Sequence, residues 1–175
     1  GAGVSMLAGC PGWGEMAGAA LAQMVVAGKI SHAELEQCQK IASPRVRLSI
    51  AELIAKEHGL AISYAEILEP TNWHANPSGL KCYGALGKLG RRFVTTNYDG
   101  WLDYQFPYVP DIPAAAGPAS SPSYDTRRVF DDPRDFTAAR FQGPDTVIHL
   151  HGSLRNPIGM IKTMRDYVSH YANDR

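Results

Sequence analysis

The chain has 175 residues, with 17 Lys and Arg against 17 Asp and Glu and a formal net charge of zero; 45% of its residues are apolar and 19% charged. That is one domain's worth, or a large part of one, able to bury a sizeable core and too apolar for a disordered chain. The charge balance offers no general attraction to nucleic acid or an anionic membrane. No apolar run nears the roughly 20 residues of a membrane helix, and no basic-then-apolar leader is present.

In chain order, "GAGVS" comes first. Glycines at 1 and 3 and a hydroxyl at Ser5 let backbone approach a phosphate, although such a turn normally follows a buried strand. That strand is expected upstream of residue 1. Apolar spacing from Trp13 to Gly28 predicts a helix stopped by the glycine. "ISHAELEQC" predicts a second helix, with Ser31 as N-cap and Glu34 closing a capping box. Pro44 breaks the pattern, and "RVRLSIAELIAKEHG" predicts a third helix with Leu48, Ala51, Leu53 and Ile54 as its buried stripe. "SYAEILEP" and "NPSGLKCYGALGKLG" predict two shorter helices, ended by Pro70 and Gly90.

"RRFVTTNYD" and "TVIHLHGS" are apolar, β-branched runs that end in polar residues, the look of buried parallel strands delivering chemistry at their C-terminal edge. "MIKT" is a weaker third strand candidate, with a helix start near Asp166. The Pro/Ala/Ser-rich stretch 106–125 between the two main runs reads as a long surface loop, a lid or a partly unfolded segment. The expected fold class is therefore α/β, a Rossmann-like parallel sheet with a helical layer or insertion, incomplete at both ends. Residues 28–75 are expected to be a mostly helical insertion within a domain spanning 1–175.

Three dispersed cysteines, Cys10, Cys38 and Cys82, argue against a disulfide framework and against a four-ligand zinc module, so no metal is expected. A reducing cytoplasm is the simpler compartment. In "VTTNYDG", Asn97 and Asp99 would share a side if extended geometry continued. Asn97 could both donate and accept, and Asp99 could hold an amide or a ribose hydroxyl. Taken alone, an ordinary Asx turn is the better reading. In "IHLHGS", His149 and His151 two apart on a strand would share a face. His149 reads as a hydrogen-bonded structural histidine. His151, before a glycine, reads equally well as structural or as a general base. Trp13 reads as a core residue at a helix start, and His32, His58, His74 and His170 as surface residues.

Taken in order, "GAGVS…PGW", "TTNYD" and "HGS…T..DY" resemble the sirtuin-like NAD-binding domains. The nearer likeness is to the branch found in bacterial anti-phage defence proteins that act as NAD hydrolases. The resemblance reaches from Gly1 to Tyr167. It implies that Gly1, Ala2, Gly3 and Ser5 cradle the dinucleotide phosphates and that Trp13 lies beside the nicotinamide ribose. It implies that Asn97 positions that ribose and a water, that Asp99 recognises the carboxamide, and that His151 is the catalytic histidine. Thr96 stands where deacylating sirtuins carry glutamine and is counted with the cofactor-binding residues. Gly12 replaces their aspartate after the proline, and their four-cysteine zinc module cannot be built here.

The implied activity is NAD hydrolysis at the nicotinamide–ribose bond, with NAD as substrate, in a regulated defence effector. Such an effector would carry a fused or separate sensor domain and work as a homo-oligomer or hetero-complex, without membrane or direct nucleic-acid binding. The alternatives are a non-catalytic NAD- or ADP-ribose-binding or assembly domain, or an ADP-ribosyl transferase or deacylase.

Overall fold

A computed structural model describes residues 1–108 and 125–172. The reading of 106–125 as a lid or an unfolded loop falls almost wholly outside them. Helices occupy the first half: α1 (Ala2–Leu7), α2 (Trp13–Val26), α3 (His32–Gln39), α4 (Pro44–Glu57), α5 (Tyr64–Leu68) and α6 (Pro77–Leu89). Three strands follow, β1 (Arg92–Thr95), β2 (Arg128–Phe130) and β3 (Thr146–His149), with α7 (Ala138–Gln142) before β3 and α8 (Met164–Tyr171) after it. The chain folds as two compact units. One combines Gly1–Cys10 with Glu69–Met160, and the other Pro11–Leu68 with Ile161–Arg175.

The first unit holds the sheet, ordered β1-β3-β2 and parallel throughout. This is the expected α/β class with a Rossmann-like parallel sheet. Central β3 is buried along its whole length, as a strand paired on both sides should be. Among the described residues β1 pairs only with β3, and it is half-exposed, with Val94 51% accessible. The third strand is not "MIKT" but Arg128–Phe130. Met160, Ile161 and Lys162 are buried but belong to none of these strands, and burial accounts for the apolar character of Met160 and Ile161. β2 has only three residues, too few to show an alternation.

Beside the sheet, Trp101 is fully buried and organises an aromatic cluster. Tyr83 of α6 stacks on it at 5.1 Å, while Trp73 meets it edge-on at 4.8 Å. Gly79, one turn before Tyr83, leaves the space that the Trp101 ring fills; a Cβ there would collide with the indole.

The second unit is helical, with α2 packed chiefly on α4. Ala17, Ala20 and Ala51 are fully buried, and such small side chains let two helices approach closely. Ser31 and Glu34 form the expected capping box on α3. Pro44 does not merely break the chain but opens α4 at its first turn, behind the Ser43 cap. The buried stripe of α4 is Leu48, Ala51 and Ala55 with Ile54 half-buried, whereas Leu53 is 65% exposed. Five residues from Leu48 turn the helix about 140° off that stripe, which puts Leu53 outside. Gln23 clamps the Ser63 backbone from both sides, accepting from its N–H at 2.9 Å and donating to its carbonyl at 3.2 Å. Helix α8 starts two residues before Asp166, with Thr163 and Asp166 closing its capping box.

Candidate active site

β1 delivers its exit segment beside that of β3. Thr95 and His149 are register partners, and beyond them Leu150 N–H donates to the Thr95 carbonyl at 2.8 Å and Leu154 N–H to the Tyr98 carbonyl at 3.0 Å. The two segments carrying "TTNYD" and "HLHGS" are thus stitched together at the carboxyl edge of the sheet, the position where open α/β sheets bind ligands.

Helix α1 brings Ser5 to the same place. Its hydroxyl donates to Asp99 Oδ2 at 2.6 Å and accepts from Asn97 Nδ2 at 2.6 Å. A hydroxyl has one hydrogen, and Asp99 takes it, so Tyr83, 3.2 Å away, donates its phenolic hydrogen to Ser5. Ser5 therefore joins three residues from two other elements through one oxygen. The other Asp99 oxygen accepts from Trp101 N–H at 3.3 Å, so the Asx turn is also present and belongs to the same network. Burial pushes the Asp99 carboxyl above the usual aspartate range, against the pull of its bonds from Ser5 and Trp101. Burial and the nearby Asp99 push the Cys10 thiol up to about 12, so Cys10 is a neutral packing residue. Glu69, whose Oε1 accepts from Gly100 N–H at 2.6 Å, is raised to about 6, first by burial and then, against that hydrogen bond, by Asp99 and Asp103.

His149 holds the backbone of the exit from β1. It is fully buried, its Nδ1–H donates to the Asn97 carbonyl at 2.7 Å, and its Nε2 meets Asp103 Oδ1 at 2.8 Å. This is the hydrogen-bonded structural histidine expected from the sequence. Burial opposes charge on the ring, but the hydrogen bond and charge of Asp103 outweigh it, and the His149 pKa is raised. Arg155 supports Asp103 from the other side at 3.3 Å.

His151 does not share a strand face with His149, because β3 ends at His149 and the chain turns. Gly152 makes the turn at φ +79°, where a Cβ would also strike the backbone at Gly159 and Met160. His151 is buried at that turn, on the segment stitched to the exit of β1. Ser153 Oγ donates to Asp131 Oδ2 at 2.6 Å and so ties the same segment to the exit of β2.

Of the residues singled out in the sequence, Ser5, Asn97 and Asp99 are in direct contact. Thr96 is exposed between β1 and Asn97. Gly1 caps α1, and Gly1, Ala2 and Gly3 are exposed at its start. Trp13 belongs to the other unit, half-buried, with the Arg45 guanidinium 5.8 Å from its ring. Sequence reasoning missed Tyr83, Asp103 and Glu69. Only Asp103 left a signal, a second acid one helical turn after Asp99.

Residues 91–175 match the family model described as the SIR2-like domain. The matched stretch contains Thr96, Asn97, Asp99 and His151 but not Gly1 to Ser5 or Trp13. It supports a sirtuin-like domain with NAD-related activity. No curated protein and no solved structure matches the chain.

Proposed function

We propose that this chain is the catalytic part of an NAD hydrolase that splits the nicotinamide–ribose bond, acting as a regulated defence effector that depletes cellular NAD. The observation that carries the proposal is the convergence of Ser5, Asn97 and Asp99, drawn from two separate motifs, on one oxygen at the carboxyl edge of the sheet. The donor and acceptor set there suits a nicotinamide ribose. Asn97 offers an amide, Ser5 a hydroxyl, and Asp99 a buried carboxylate that can accept from a carboxamide N–H or a ribose hydroxyl.

Bound NAD supplies a cationic leaving group, so bond cleavage places positive charge on the ribose. The residues need provide little protonic help to nicotinamide. Their task is to hold the sugar, place a water and exclude the rest of the solvent. Asn97 places ribose and water, with its main chain fixed by His149 and its side chain by Ser5. His151 serves as base toward a ribose hydroxyl. Zinc has no part in this scheme, and a sensor domain or assembly partner controls the activity.

In the assembly that consumes NAD, Asn97→Ala and His151→Ala should each lower nicotinamide release by about a hundredfold or more. Release at the unaltered rate in both variants would sink the assignment. If instead the full assembly binds NAD and leaves it uncleaved under every trigger tried, a binding domain is the better reading.

A further inference from the structure

Where the three strands begin, at the opposite edge of the same sheet, cations collect. Arg91 and Arg92 lead into β1, Arg127 and Arg128 into β2, and register aligns Arg92 and Arg128 on either side of Thr146. One residue earlier on each strand, Arg91, Arg127 and Asp145 line a cavity of about 310 Å³ together with Lys88 of α6, Phe106 and Tyr108.

Among the described residues that line it, the charges in this cavity do not balance. Arg91 is bound to Asp145 by two parallel hydrogen bonds, both 2.7 Å, so that pair is neutral. Lys88 and Arg127 remain. Among the described residues, neither has a carboxylate within ion-pairing distance. Lys88 Nζ stands 3.3 Å from the centre of the Tyr108 ring. Arg127 is only 8% exposed; its Nη1 donates to the carbonyls of Leu102 and Tyr104, and its Nε has no hydrogen-bond partner among the described residues. Asp145 and Asp103 attract it only from a distance, Arg91 repels it, and burial pulls its pKa below the usual guanidinium range. A cation held out of water without a counter-charge is costly, and here it borders an open cavity.

We propose that this cavity binds a phosphate dianion, free or as a small monoester, with Lys88 and Arg127 as its counter-charges. Two unbalanced positive charges match two negative ones, and guanidinium and ammonium groups are the usual partners of phosphate oxygens. Phe106 and Tyr108 present aromatic surface to the organic part of an ester. The site lies at the strand starts, whereas Ser5, Asn97 and Asp99 gather at the strand ends, so it does not depend on the hydrolase reading.

Calorimetric titration of the full chain with inorganic phosphate and with adenosine 5′-monophosphate, at constant ionic strength, tests it. Saturable binding is expected, weakened about tenfold or more by Lys88→Ala. Lys81→Ala, which removes an exposed cation of α6 outside the cavity, should leave it unchanged. Tighter binding of the nucleotide than of phosphate identifies an ester ligand, and equal binding identifies the free ion. The proposal fails if neither ligand saturates, if Lys88→Ala binds like the parent, or if Lys81→Ala loses as much. It also fails if binding survives Lys88→Ala and is lost in Asn97→Ala, which would assign it to the other edge.

Discussion

Glu69, Asp99 and Asp103 bring three carboxyl groups together, and the positive groups acting on them include His149, the half-exposed Arg155 and, on Asp103 from a distance, Arg127. Burial first, and then Asp99 and Asp103, make the folded state bind the Glu69 proton more tightly than the unfolded chain does. As pH rises from about 4.5 to about 6, ionisation of Glu69 works against folding. Glu69→Gln keeps an oxygen for Gly100 N–H and removes the charge. It should be more stable than the parent by about 1 kcal/mol above pH 6, after allowance for partial exposure, and should lose that advantage below pH 4.5. Urea denaturation across this range checks both halves of the expectation. At this scale the sequence was legible where motif and contact coincide, as for Ser5, Asn97 and Asp99. Tyr83 and Glu69 were not legible, because burial and long-range packing, rather than any local pattern, make them partners of the site.

Capping, proline and glycine positions carried most of the helix boundaries. Ser31 with Glu34, Asn76 before Pro77, and the left-handed Gly28 and Gly59 stand where their local chemistry predicts. The strands were harder. β1 and β3 have β-branched runs, but β2 exists because Arg128–Phe130 finds β3 as a partner, a tertiary fact with no periodic signal. Two glycines inside helices separate local propensity from packing. Gly18 in α2 has open space where a Cβ would go, so Gly18→Ala should stabilise by about 0.5–1 kcal/mol. Gly79→Ala in α6 gains the same propensity but drives a methyl into Trp101, and should destabilise by about 1–3 kcal/mol. Thermal melts of the two variants should move in opposite directions, and a shared direction would contradict the packing described for Trp101.

Each unit of the molecule is assembled from two stretches of chain. In the helical unit, α8 packs on α4, and buried Lys162 reaches Glu52 at 3.2 Å while Tyr64 donates to the same carboxylate at 2.6 Å. A chain ended after Met160 loses that cation and the cover of α8. Its α4 amides, from Leu48 to Ala55, should exchange hydrogen about tenfold faster or more, as expected when a buried ion pair and its packing are removed. Unchanged protection would show that 11–68 needs no later partner. The SIR2-like match begins at Arg91, so it spans the strands and α8 but none of the first-half helices.

The separation of Ser5 from its partners also sets an order of events during synthesis. Ser5 leaves the ribosome 78 residues ahead of Tyr83 and 94 ahead of Asp99. Closing so long a loop is slow, and nothing rewards it until both ends exist. Residues 1–10 thus wait until Tyr83 and Asp99 have been made before Ser5 has its partners, and Met6 and Leu7 remain exposed even after docking. Until then this segment is a stretch on which a chaperone has time to act.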